Sequence, residues 1–393
     1  MRDTGSPIST VSRPLVWLFA CAAALSVANV YYAQPLLDTL ALEFGMRPSG
    51  SGMVITATQA GCALALLLVV PLGDMLNRRK LTLLQLGLLG ASLAGLACAT
   101  SSAALLAGML LVGLLGTAMT QGLIAYAASV APSHERGRVV GTAQGGVVIG
   151  LLLARTLSGV VTDLAGWRAV YLLSAVLSLV LLLLLWRMLP PPVAPARKLP
   201  YGALLASMFD LLKTNRVLQV RGVLALLLFA AFSIFWSALV FPLSAQGYSH
   251  AAIGAFGLVG VAGALGAARA GALADRGRAQ STTGAALLLL LASWLPLSFA
   301  GSALWPLIVG IIALDLAGQA IHVTNQSLIF RHDSDAHSRL VACYMLFYAV
   351  GSGLGAIAAT STYALAGWHG VCALGAAVSL LALLFWRLTL PSN

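Results

Sequence analysis

Asp315 stands in an apolar run at about 303–329, and Gln319, His322 and Gln326 follow it at spacings of four, three and four. On an α-helix those intervals put all four residues on one face. The run is long enough to cross a bilayer, and Asp315 falls about twelve residues in, near mid-depth at ~1.5 Å per residue. An ionisable side chain there costs several kcal/mol unless it is paired or hydrated, so it is a functional candidate by default. A polar stripe on such a helix reads as the wall of a wet cavity; a hydrogen-bond network packing two helices is the plainer reading. Removal from water brings carboxylic acids and imidazoles closer to neutrality. A group that takes a proton from one side and releases it to the other can couple proton flow to solute flow. Asp315 suits that role, with His322 as relay or solute ligand. Arg155, in the run 139–162, is the second candidate. A guanidinium cannot shed its charge and needs a counter-charge, water or carbonyls. Three roles stay open for it: pairing with Asp315 in one conformation only, binding an anionic group of the solute, or a static anchor.

The rest of the chain says what must position these groups. Of 393 residues, 22 are Lys or Arg and 11 are Asp or Glu, and 60% are hydrophobic. Mean hydropathy is +0.95. A soluble domain carries about a quarter charged residues against 8% here, so a water-soluble enzyme is excluded and the apolar surplus must face lipid. Apolar runs at about 14–36, 51–72, 81–99, 103–130, 139–162, 168–189, 222–245, 251–273, 282–300, 303–329, 340–364 and 370–390 predict twelve membrane-spanning helices, numbered here in that order. The five cysteines all sit in apolar runs and read as small hydrophobes.

Basic residues crowd alternate connections: Arg78, Arg79 and Lys80, then Arg136 and Arg138, then Arg276 and Arg278. The intervening connections hold only Arg47 or Arg168. This bias places the basic loops and both termini in the cytoplasm. The net charge of +11 therefore reports topology and contact with anionic lipid, and gives no support to nucleic-acid binding. At an offset of 201 residues Asp74 falls on Asp275, Arg138 on Arg339, Gly150 on Gly351 and Gly166-Trp167 on Gly367-Trp368. Six spans followed by six in the same orientation form a parallel repeat. The expected division is 1–189 and 222–393 as two six-helix bundles, with 190–221 as a cytoplasmic central loop. That loop opens on Pro190-Pro191-Pro192, which stops helix, and continues with Leu204, Leu205, Met208, Leu211 and Leu212 at helical spacing, as in a helix lying in the interface.

Pro71-Leu-Gly-Asp-Met-Leu-Asn-Arg-Arg-Lys80 resembles the cytoplasmic signature loop of the major facilitator superfamily, and Gly271-Ala-Leu-Ala-Asp-Arg-Gly-Arg278 resembles its second-half copy. The resemblance covers the whole chain. It is nearest the twelve-span efflux members, the drug:proton antiporters and the sugar and nucleoside exporters. Asn29-Val-Tyr-Tyr-Ala-Gln-Pro35 and Ala154-Arg-Thr-Leu-Ser-Gly159 look like a bacterial subgroup of them. Met75 and Asn77 depart from the loop pattern, and Ala154-Arg155 stands where span five usually has Gly-Pro. The resemblance implies an all-α polytopic fold of two bundles related by a pseudo-two-fold axis. It implies that spans one, four and ten surround a central cavity, and that the chain is a monomer by default. Asp74 with Arg78 and Arg79, and Asp275 with Arg276, would then form the conformational latch. Asn29, Tyr31, Tyr32 and Gln34 on span one, Thr117 and Gln121 on span four, and Tyr348 (with Tyr344) on span eleven are candidate solute contacts. Four residues within a stretch of six cannot all share one helical face, so only part of the first set points inward.

No phosphate-cradling loop and no His/Cys grouping with metal spacing is present in the sequence, so no cofactor or metal is expected. The expectation is an inner-membrane transporter that exports a small organic solute in exchange for protons. An uncoupled facilitator or importer is the nearer alternative, and a membrane-embedded solute sensor the one from another class.

Overall fold

Four helices begin at a side chain that accepts an otherwise unpaired N–H of the first turn: Asn77 from Lys80, Ser101 from Ala104, Asn215 from Leu218 and Ser249 from Ala252. The structure, a computed structural model, describes residues 11–132, 134–190, 200–300, 303–330 and 337–390. Pro191 and Pro192 lie outside them. Among the described residues there is no strand, as hydrocarbon requires of a chain that does not close a barrel. Span one is Arg13–Tyr31, continued by Gln34–Leu36 and Leu37–Glu43. Span two joins Met53–Leu64 to a π turn (Ala65–Val69) and a 3₁₀ turn (Val70–Asp74). Spans three to six are Arg78–Ala97, Ser102–Val130, Arg136–Ala165 and Trp167–Met188. Span seven is Arg216–Ala238 with Val240–Ala245, and span eight is built from His250–Ala255, Phe256–Gly260 and Val261–Leu273. Spans nine and ten are Ala279–Leu297 and Leu304–Phe330.

The last helix runs His337–Leu388, 52 residues, far more than the ~20 of one crossing. Gly367, at φ 62° and ψ −160°, breaks it into spans eleven and twelve. Gly166 turns the chain between spans five and six in the same way, at φ 80°. The repeat extends to packing. A Cβ on Gly150 would run into the Ala24 backbone of span one, and a Cβ on Gly351 into the Leu226 backbone of span seven. Spans one and five, and seven and eleven, thus touch through glycine at corresponding places.

The central loop holds a helix, Tyr201–Thr214, whose Leu204 and Met208 are buried. They are buried against protein: the Cys343 thiol of span eleven lies 3.6 Å from the Met208 carbonyl, and Tyr201 Oη donates to the Leu68 carbonyl of span two at 2.7 Å. Span seven begins at Arg216, before the apolar run, so Arg221 lies inside it and is 5% exposed. We call the face with the Arg-rich connections the basic side and the opposite face the far side.

Gly150→Val is expected to destabilise the fold by about 1–3 kcal/mol through overpacking, and Gly351→Val likewise. Gly145→Ala, with open space at its Cβ, should leave unfolding unchanged. Thermal unfolding in detergent checks all three.

Candidate solute cavity

Helix periodicity sets which polar groups converge. A cavity of about 410 Å³ lies between the halves and takes its walls from spans one, two, four, five, seven, eight, ten and eleven. That size suits a small organic molecule. Asp315, Gln319, His322 and Gln326 all face it, the stripe expected from their spacing. Arg155, Tyr31, Gln34, Thr117, Gln121 and Tyr348 face it too. Asn29 and Tyr32 do not. Asn29 donates to the Leu25 carbonyl and accepts from Ser174 Oγ at 2.7 Å, and Tyr32 packs edge-on against Tyr171, both toward span six. The 100° step between neighbours turns them off the face that Tyr31 holds.

Span one breaks at Tyr32–Ala33, ahead of Pro35, and the break turns Gln34 toward span five. Gln34 Oε1 accepts from Arg155 Nε at 2.6 Å. The guanidinium lies over the Trp236 ring, 4.0 Å from its centroid, and 5.4 Å from that of Tyr31. Aromatic faces are a favourable seat for a cation out of water. Trp236, a core residue of span seven, is not among the expected ones, because nothing in its local pattern separates a tryptophan that seats a cation from any other buried one. Among the described residues no ion pair joins Arg155 to Asp315 in this conformation.

Both charges press on one helix. Gly254, Gly257, Gly260, Gly263 and Gly266 recur every third residue in span eight. The 3₁₀ stretch Phe256–Gly260 has three residues per turn, which lines such glycines up. A Cβ on Gly257 would lie 3.3 Å from Arg155 Cβ, and one on Gly260 would lie 2.8 Å from Asp315 Oδ2. The glycine ladder is therefore the slot that lets span five and span ten bring their charged side chains to the cavity. Its period of three is legible in the sequence, although no polar residue marks it.

His322 Nδ1 lies 3.0 Å from Tyr344 Oη. Behind it, Arg221 reaches Thr283 Oγ1 at 3.4 Å and Asn325 Oδ1 at 3.5 Å. A polar chain thus leads from the cavity wall into the second half. On the far side the halves close. Tyr31 and Tyr348 hydroxyls meet across the cavity, and Thr156 Oγ1 donates to the Gly254 carbonyl at 3.0 Å. Gly52 N donates to Thr360 Oγ1 at 3.2 Å, and His250 meets Asp38 and Asp163. Toward the basic side the cavity walls continue to Gln144, Gln326 and Met345.

Of the latch, Arg78 donates to the Gly73 and Ala125 carbonyls at 3.0 and 2.7 Å, and Arg79 to the Trp186 carbonyl at 2.6 Å. These bonds tie span three to spans two, four and six within one half. The Asp74 and Asp275 side chains lie outside the described ones, and Arg276 is exposed.

A paired-bundle fold with a cavity between its halves has many solved counterparts. A bacterial homologue of the human lysosomal transporter Spinster, in an inward-facing and unoccupied conformation, superposes with a TM-score of 0.79 at 14% identity, covering 96% of this chain and 97% of that one. The sequence profile of the Major Facilitator Superfamily matches residues 19–336. The chain belongs to the Major Facilitator Superfamily. The transporter YgaY of Escherichia coli O157:H7 is 43% identical over 395 residues, covering 97% of this chain and 96% of that protein. A probable transporter of Streptomyces coelicolor is 33% identical over 374 residues, covering 94% and 86%. This superfamily member is thus a multi-pass membrane transporter.

Gln34→Leu takes the acceptor from a buried guanidinium and should cost about 1–3 kcal/mol of stability. Gln144→Leu, on the cavity wall nearer the basic side, should be close to neutral. Thermal unfolding of the two proteins side by side checks the difference.

Proposed function

We propose that this superfamily member exports a small organic solute by alternating access of its two halves, in exchange for protons, with Asp315 carrying the proton. The observation that carries the reading is Asp315 itself: a carboxylate 5% exposed, on a cavity wall near mid-span, with no ion-pair partner among the described residues in this conformation. Such a group is expensive to bury unless it exchanges a proton or a partner during the cycle. Export and exchange draw support from the resemblance of the chain as a whole, and of residues 29–35 and 154–159, to the efflux members. In this reading the bundles 1–189 and 222–393 move as bodies about the loop 190–221. The basic side faces the cytoplasm, with both termini, and the membrane is the bacterial inner membrane. The far-side contacts then make this the inward-facing state, and the chain works as a monomer. Arg78, Arg79 and Arg276, with Asp74 and Asp275, would latch the basic side in the opposite state.

Arg155 and Asp315 are the ionisable arginine and carboxylate of the described lining, so the cavity holds no surplus of negative charge for a polyvalent cation. Gln59, Gln121, Gln144, Gln319 and Gln326 offer both donors and acceptors, while Phe229 and Phe232 offer apolar faces. That lining supports a polar solute with an apolar side. Uncoupled passage or import is the second reading, favoured by Arg155 at the position where efflux members usually carry proline.

Proteoliposomes holding a pH-sensitive dye test the proposal with a panel of sugars, nucleosides, amino acids and aromatic acids. Solute-driven proton release should appear in the wild type. Asp315→Asn should abolish proton release and leave residual solute exchange. Equal proton flux in the variant would move the carrier away from Asp315, and solute flux without protons would leave the facilitator. Arg155→Gln should lower solute flux in either case; unchanged flux would leave Arg155 as a static anchor.

A further inference from the structure

His250 opens span eight on the far side, and both of its ring nitrogens face carboxylates of the other half. Nδ1 lies 3.1 Å from Asp163 Oδ1 on span five. Nε2 lies 3.3 Å from Asp38 Oδ1 on the helix Leu37–Glu43. Asp163 also accepts the backbone N–H groups of His250 and Ala251, at 3.1 and 2.8 Å, so its charge sits on the first turn of span eight. Thr39 Oγ1 is 2.9 Å from Nε2. Among the described residues, the segments packed on this corner bring no other ionisable group to the ring. Gln34–Leu36 and Val240–Ala245 hold none, and Glu43 is engaged by Trp167 and Arg168. Side-chain exposures of 22% for His250, 14% for Asp38 and 28% for Asp163 leave the group open to far-side water.

A neutral imidazole has one N–H and can serve one of two carboxylates. With its proton on Nδ1 it satisfies Asp163, and Nε2 can accept the Thr39 hydroxyl. Its lone pair then also faces the Asp38 oxygen at 3.3 Å, which is repulsive. The imidazolium donates from both nitrogens and lies between two anions. Separation of the halves removes the histidine from both acids at once, so the closed far side holds a proton more tightly than the open one.

We propose that His250 is a proton-binding site at the far-side junction, where a proton from outside bridges Asp38 and Asp163 across the halves and holds the outer end shut. The inference rests on the reading that the halves rock and that the far side faces out; it does not rest on Asp315 as the coupling group. The sign follows from linkage. The closed form binds the extra proton, so acid outside favours closure, and raising the pH through the imidazole range favours opening. This proton returns to the side it came from when the outer end opens. It speeds the return of an exporter to its inward-facing form and leaves the transport stoichiometry alone.

The test is a distance across the outer end by double electron–electron resonance in nanodiscs. Spin labels go on Ser102 and Gln246, exposed far-side positions of opposite halves, with the five native cysteines replaced. The ratio of closed to open populations is expected to fall about tenfold between pH ~5.5 and ~8.5, one decade per unit of altered proton affinity. His250→Gln should flatten that dependence, Asp38→Asn should weaken it, and Thr39→Val should retain it. Asp315→Asn should retain it as well, which separates this site from the proton carried in the cavity. A slope unchanged in His250→Gln, or lost in Asp315→Asn alone, overturns the proposal. Should His250→Gln fail to fold, Asp38→Asn decides by the same criterion.

Discussion

Hydrocarbon offers no hydrogen bonds, and every polar group of this chain in the membrane must find its partner in protein or in an internal water-filled space. Helices settle that demand for the backbone. What remains is to hold helices together where burial of apolar surface gives no net gain, since lipid is as apolar as leucine. Here the answer is close approach through glycine. Gly146 and Gly150 let span five lie on the Ala20 and Ala24 backbone of span one, and Gly351 and Gly355 do the same between spans eleven and seven. The junction of the halves uses the same device: Gly159 admits the His250 backbone, and Gly254 admits the Arg155 backbone. A side chain at any of these would force the helices apart.

The same constraint explains the surroundings of the buried cations. Arg155 cannot be neutralised by losing a proton, so its charge is met by the Gln34 carbonyl and two aromatic faces. Arg221 meets the Thr283 hydroxyl and the Asn325 amide. Neutral partners of this kind hold a guanidinium without cancelling its charge. Arg155 therefore still projects a positive field into the cavity, whereas a tight carboxylate pair would have cancelled most of it at short range.

Much of this is legible in the sequence. Asp315, Gln319, His322 and Gln326 recur at four, three and four in an otherwise apolar run, and a periodic signal survives ignorance of the neighbours. Asn29, Tyr31, Tyr32 and Gln34 carry no such phase, and span one breaks among them, so two of the four face span six instead. Phe229 and Phe232 reach the cavity on a span apolar on all sides, where no contrast marks one face. Asp38, Asp163 and His250 are distant in sequence and lie at helix ends, and only the approach of the two halves brings them together. The fold was the easier part, because length, charge alternation and the offset of 201 residues are properties of the whole chain.

That offset also shows where the repeat stops. His322 corresponds to Gln121, Tyr348 to Val147, Phe232 to Tyr31 and Gly318 to Thr117, and all of these line the cavity. The scaffold is symmetric, and these four pairs of inward-facing positions follow it. The charges are not: Arg155 corresponds to Ala356 and Asp315 to Leu114. The guanidinium thus belongs to the first half and the carboxylate to the second, each against its own glycine of span eight. Any rocking of one half on the other changes their separation. Unit charges at an effective dielectric constant of about 20 attract by ~4 kcal/mol at 4 Å and ~2 kcal/mol at 8 Å. A shift of a few ångströms then changes the attraction between the two charges without any change in the local structure of either half. A symmetric carrier with matched charges in both halves would lack that lever, since motion toward one pair would be motion away from the other.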